Sequence, residues 1–173
     1  MNWTIQGNKM ATNISEKKSD LGALWFLNEQ YSLTQRPLDA YEVYFKALLA
    51  CANGDGTLTD EERDWVLGLA DASGCGSEIL EKLKVYEADE DIEALVSRSH
   101  TSNESRRWVI YDAIKACSAD KEYSEQERNV VLIAAKKLGI SEDVVKQIEE
   151  FCLEEAKIRQ KRIALMYPNG SPL

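Results

Sequence analysis

The stretch Cys51-Ala52-Asn53-Gly54-Asp55-Gly56-Thr57-Leu58-Thr59-Asp60-Glu61-Glu62 puts a carboxylate and an amide into a tight glycine-containing turn, then runs into a helix start. Thr59 and Glu62 form a capping box: the hydroxyl accepts from a free helix amide, and the glutamate reaches back to the N-cap amide. Upstream, Tyr41, Tyr44, Phe45, Leu48 and Leu49 recur at helical spacing between about Leu38 and Ala52. Downstream, Trp65, Val66, Leu69 and Ala70 continue to Gly74-Cys75-Gly76, a glycine stop. The local unit is helix, acidic turn, capped helix.

The chain repeats this unit. A constant shift along the sequence sets Asp55 on Asp120, Thr59 on Ser124, Glu62 on Glu127, Arg63 on Arg128, Val66 on Val131 and Gly74 on Gly139. Upstream of the turn the shift grows by one, pairing Phe45 with Tyr111, Leu48 with Ile114 and Cys51 with Cys117. A helical hairpin cannot bury its own apolar face, so two such halves are expected to pack together about a pseudo-twofold axis.

The remaining segments extend the helical reading. Leu21, Leu24, Trp25, Leu27 and Tyr31 mark an apolar face on a helix from about Ser15 to Leu33. Short helices follow from Ser77 and from Asp89 to Val96. Residues 97–102 read as a polar linker holding the single histidine, His100, and Thr101 with Glu104 matches a further capping box. A long last helix is expected from Glu142 to about Met166, with Lys157, Arg159, Lys161 and Arg162 towards its C-terminal end. The expected fold is all-α, a single domain of about seven to eight helices. The expected division is an arm at residues 1–14, the domain at 15–167 and a tail at 168–173.

The totals fit a soluble globular domain. The chain has 173 residues, 44% hydrophobic and 29% charged, with a formal net charge of -9. That charge disfavours nucleic acid and anionic membranes and suits cations or a basic protein surface. The 4 cysteines contain no CxxC pair, so buried reduced thiols are expected rather than a zinc site. No apolar run is long enough to span a bilayer, and no hydrophobic leader precedes the domain. The expected setting is cytoplasmic.

The two turns supply candidate metal ligands. Hard cations take oxygen from carboxylates, amides and carbonyls, and Asn53, Asp55, Thr59 and Glu62 are of that type, echoed by Asp120, Ser124 and Glu127. The first turn also follows the register of an EF-hand loop at most positions, but Cys51 stands where the first aspartate belongs. In the second turn Ala116 takes that position and Lys121 replaces the glycine, so both halves depart from the EF-hand in the same place.

A different pattern fits both halves. Gly54-Asp55-Gly56-Thr57-Leu58-Thr59-Asp60-Glu61-Glu62 and Ala119-Asp120-Lys121-Glu122-Tyr123-Ser124-Glu125-Gln126-Glu127 resemble the doubled Ala-Asp-Gly-x-x-Ser-x-x-Glu signature of the tellurite-resistance TerB-like family. Residues 134–143, Ala-Ala-Lys-Lys-Leu-Gly-Ile-Ser-Glu-Asp, resemble the family's ending, and the likeness spans roughly residues 38–150. It implies an all-helical stress-response module without catalytic activity. It also implies an acidic surface cluster for a divalent cation, carried here by Asp55, Glu62, Asp120 and Glu127. Calcium, magnesium or manganese suits those donors better than zinc.

Each of these residues also has a purely structural reading. Glu62 and Glu127 are good capping-box glutamates, and an N-cap contributes about 0.5–2 kcal/mol without any metal. Asp55 and Asp120 are ordinary turn residues. If the four carboxylates converge, each close pair repels by about 4 kcal/mol at an effective dielectric near 20, which calls for a cation or raised pKa values. The alternative to a metal module is a metal-free acidic module that docks a basic partner. An enzyme is the least supported class, since no nucleophile–base pair or phosphate loop is visible; paired carboxylates leave only a hydrolase open.

Overall fold

The structure is a computed structural model that describes residues 21–119 and 123–171. Among these residues the secondary structure is helical throughout. The helices are α1 (residues 21–31), α2 (Tyr41–Ala52), α3 (Asp60–Ala72), α4 (Ser77–Lys84), α5 (Ile92–Val96), α6 (His100–Glu104), α7 (Arg106–Cys117), α8 (Glu125–Lys137) and α9 (Glu142–Met166), with a 3-10 turn at Asn53–Asp55. The expected arm at residues 1–14 and the start of the first helix lie outside the described residues.

The domain is built around α2 and α7. Leu48 and Leu49 from α2, and Val109, Ile110 and Ala113 from α7, are fully buried. The capped helices α3 and α8 add Val66 and Val131, and α4 and α5 close the core with Leu83, Leu95 and Val96. These apolar side chains leave water almost completely, at about 1.5–3 kcal/mol each, so the core is the main source of stability.

Both repeats end their capped helix alike. Gly74 takes φ +84, with the Gly74 amide donating to Asp71 O and the Cys75 amide to Ala70 O. Gly139 takes φ +73, with the Gly139 amide donating to Lys136 O and the Ile140 amide to Ala135 O. A left-handed residue closes free helix carbonyls in this way, and glycine adopts it without a Cβ clash. Arg63 and Arg128 also match: each reaches from the capped helix to the next element. Arg63 donates to Leu83 O and Tyr86 O at 3.0 and 3.1 Å, whereas Arg128 pairs with Glu149 at 3.0 Å.

Several local expectations change. Leu27 is buried as expected, but Leu21 and Trp25 are exposed, and Ala23 is the other residue α1 buries. α2 begins at Tyr41 rather than Leu38, with Pro37 in the preceding turn. The polar stretch around 97–102 is not a linker: Ser99 and Ser102 are buried, and α6 adds a helix to the expected count. Thr101 does not cap. Ser99 is the N-cap of α6, and the Thr101 hydroxyl donates to Asp39 Oδ1 at 2.9 Å. The last helix has the expected span, but only Val145 is buried, while Phe151, Ile158 and Leu165 are exposed.

Candidate functional site

The two capping boxes form as the sequence predicts. Thr59 Oγ1 accepts from the Glu62 amide at 3.2 Å, and Glu62 Oε2 accepts from the Thr59 amide and hydroxyl, both at 2.8 Å. Ser124 Oγ accepts from the Glu127 amide at 3.2 Å, and Glu127 Oε2 accepts from the Ser124 amide at 2.5 Å.

The first turn packs on the second capped helix. Gln126 Nε2 donates to Asp55 Oδ2 at 3.1 Å, joining a turn of one half to the helix start of the other. Gly54 lies so close to α8 that an added Cβ would sit 2.3 Å from Val130 Cγ1. Glycine is therefore required at 54 for close approach, and at Gly56 for a φ of +87. Asp55 Oδ1 accepts from the Thr57 amide at 2.8 Å, and Asn53 Nδ2 donates to Ala88 O at 3.3 Å, which anchors the turn from both ends.

The carboxylates differ in environment. Glu62 is 3% exposed, Glu127 half-buried and Asp55 exposed. Burial pushes the Glu62 carboxyl above its ordinary range. The Thr59 hydrogen bonds oppose that shift, and the Glu127 and Asp55 charges add to it. Asp55, Glu62 and Glu127 thus share one electrostatic neighbourhood. Asp120 lies outside the described residues. Among the described residues, no group of three or more His, Cys, Asp or Glu is arranged to hold a metal ion.

Cysteines at matched helix ends lie beneath the junction. Cys51 and Cys117 are buried free thiols. Desolvation raises both, Cys51 to about 12, with the Glu62 charge adding to the effect. A thiol so raised stays protonated at neutral pH and is a poor nucleophile or metal ligand.

The donor set fits a hard cation only in part. Glu62 and Glu127 each commit Oε2 to a cap, so Oε1 is the atom each would present. Asp55 already accepts at both oxygens, from Thr57 and Gln126.

Sequence reasoning missed a second buried carboxylate. Asp112 on α7 is 1% exposed, and its Oδ2 accepts from Tyr44 at 2.6 Å and Tyr31 at 3.1 Å. Desolvation raises its carboxyl to about 6, against the pull of the two tyrosine hydrogen bonds. The available signal was an aspartate within the apolar run Trp108 to Ile114.

No protein-family model and no curated protein matches the chain. Among solved structures, the chain is similar to a tellurite resistance protein from Nostoc punctiforme PCC 73102. The identity is 37% and the TM-score 0.86, and the match covers 90% of this chain and 98% of that one.

Proposed function

The chain belongs to the tellurite-resistance TerB-like family, and we propose that it acts as a non-catalytic stress-response module with a divalent-cation site at the junction of its two acidic turns. The observation that supports the site is the electrostatic neighbourhood shared by Glu62, Glu127 and Asp55, which spans both halves. Glu62 Oε1, Glu127 Oε1 and the Asp55 carboxylate are not grouped as ligands in the ion-free arrangement and would have to draw together on the ion, with Asp120 as the fourth group. All are hard oxygen donors, which suits calcium, magnesium or manganese ahead of zinc. A bound cation would offset the repulsion between these carboxylates and fasten the first turn to α8. The pseudo-twofold relation of the halves and a cytoplasmic setting with reduced thiols belong to the same reading.

Titration calorimetry with each of the four ions tests it. Calcium is expected to bind with Kd of about 0.1–1 mM and to stabilise the fold by about 1.4 kcal/mol at ten times Kd. Asp55→Asn with Glu127→Gln should abolish both signals. No heat and no thermal stabilisation at millimolar ion would remove the cation from this proposal.

A metal-free module that docks a basic protein surface is the second reading. It is favoured by the commitment of both Oε2 atoms to caps and by the exposed Asp60, Glu61 and Glu125 around them. Replacing these three by lysine should abolish capture of a basic partner while leaving ion binding at the junction intact. Membrane insertion forms no part of either reading, as no helix among the described residues is long and apolar enough to cross a membrane.

A further inference from the structure

α9 outruns its own packing. Val145 is its one buried residue, Glu149 pairs with Arg128, and Glu155 accepts from Tyr111 at 2.6 Å and pairs with Lys115. From Ala156 to Met166 every residue is exposed. A helical segment of about eleven residues is marginal on propensity alone and in proteins is held by the packing of an apolar face. Such a face is present and left open. Phe151, Ile158 and Leu165 recur every seven residues and are 52%, 63% and 75% exposed.

Seven residues are close to two helical turns, so these three side chains form one stripe. The charges beside the stripe have opposite signs on the two sides of Ile158. Glu154 and Glu155 come three to four residues before it, and Lys161 and Arg162 three to four after it. Residues at those separations share a face with Ile158. Glu154, Lys161 and Arg162 have no ionic partner among the described residues.

A surface with that layout is its own complement. Turned end for end about Ile158, a second copy sets Phe151 on Leu165 and Ile158 on Ile158. It sets Glu154 on Lys161 along one edge and Glu155 on Arg162 along the other, and a twofold axis repeats every contact in reverse. We infer that the outer face of α9 is an interaction surface for a second copy of this chain, paired antiparallel about Ile158 over about 17 residues, or about 25 Å. A parallel pair would set Glu154 against Glu155 and Lys161 against Arg162, which like-charge repulsion opposes. The stripe is one residue wide, so the pair is small and reversible, with Kd of about 10–100 µM. An anionic lipid surface is the other occupant a basic apolar helix end suits, but the glutamates beside the stripe and the net charge of -9 oppose it. None of these residues belongs to the acidic turns, so the surface is independent of the cation reading.

Sedimentation of the full chain between about 5 and 500 µM tests the surface, with monomer expected at the low end and dimer at the high end. Ile158→Asp brings two carboxylates together at the centre and should abolish the dimer. Glu154→Lys and Lys161→Glu should each weaken self-association about tenfold, because each alone sets like charges in one pair of edge contacts. An equimolar mixture of these two variants should dimerise as the wild type does, since only the mixed pair restores opposite charges at both contacts. All three positions are exposed, so the variants are expected to fold, which circular dichroism checks. A wild type that stays monomeric at the highest concentration would overturn the surface. So would a dimer indifferent to Ile158→Asp, or a mixture no better paired than its components. Binding of a strictly monomeric chain to phosphatidylserine–phosphatidylcholine vesicles, lost in Ile158→Asp, would give the stripe to a membrane instead.

Discussion

Glu62 and Asp112 are the two buried carboxylates among the described residues, and they are satisfied in opposite ways. Glu62 is answered by its own helix start, through the Thr59 amide and hydroxyl three residues away. Asp112 is answered by Tyr31 and Tyr44, which are 81 and 68 residues distant along the chain. The first arrangement is local and forms with the helix. The second exists only once α1, α2 and α7 have assembled. In each case desolvation is the largest influence on the carboxyl and raises its pKa. A cap can therefore be buried without a counter-ion, and a core acid can be held by hydroxyls alone.

The largest effect expected from this contrast is pH-dependent. The Asp112 carboxyl rises from 3.8 to about 6 on folding, so the folded state binds its proton more tightly than the unfolded chain. The stability it contributes is fully present below pH 3.8 and is lost as pH rises through about 6. The loss amounts to about 3 kcal/mol. Asp112→Asn should remove that slope from the urea-derived stability between these limits. An unchanged slope would show that the tyrosine hydrogen bonds balance the desolvation.

Capping gives the next effect. Glu62→Ala leaves a nearly buried cap amide and hydroxyl unanswered and should cost about 2 kcal/mol. Glu127→Ala, at the half-buried copy of the same motif, should cost about 0.5–1 kcal/mol. Equal losses in thermal melts would mean that burial does not distinguish the two caps. A further effect, below that of Glu62→Ala, concerns the contact between the halves. Gly54→Ala drives a Cβ into Val130 and should cost about 1.5 kcal/mol, and a Val130→Ala background should relieve most of it. A double-mutant cycle without coupling would show that the turn moves aside freely.

The same contrast explains what was legible in the sequence. Capping boxes at Thr59–Glu62 and Ser124–Glu127, the glycine stops at Gly74 and Gly139, and the span of α9 depend on residues close together in the chain, and each could be read directly. The all-helical class and the family resemblance followed from the same local motifs, because they recur in matched order. The errors lie where satisfaction is non-local. Thr101 and Glu104 have capping-box spacing, but Asp39 takes the Thr101 hydroxyl and Ser99 becomes the cap. Trp25 has helical spacing with Leu21, yet both are exposed, and α1 buries Ala23, which packs against Gly74, beside the expected Leu27. For the site, the nearness of Asp55 to α8 required the fold, since Gln126 carries no sequence signal that pairs it with Asp55.

Asp112 also sets how the domain comes apart. Tyr44 and Tyr31 share one acceptor atom, Oδ2, and the Tyr44 bond is the shorter, at 2.6 Å against 3.1 Å. α1 therefore docks on an oxygen already engaged by α2. Its other ties include the buried Leu27, the Tyr31 ring packed edge-on to Trp108 at 4.8 Å, the Ala23 contact with Gly74, and the Arg36 guanidinium on Gly74 O beyond its C-terminal end. Detaching α1 leaves Asp112 with its stronger partner and the α2–α7 pair intact. Amide hydrogens of α1 are expected to exchange through local opening before those of α2 and α7, and equal protection of all three helices by hydrogen exchange would contradict this. A single carboxylate oxygen thus joins an outer helix to an inner pair, and is the expected boundary at which the outer helix parts first.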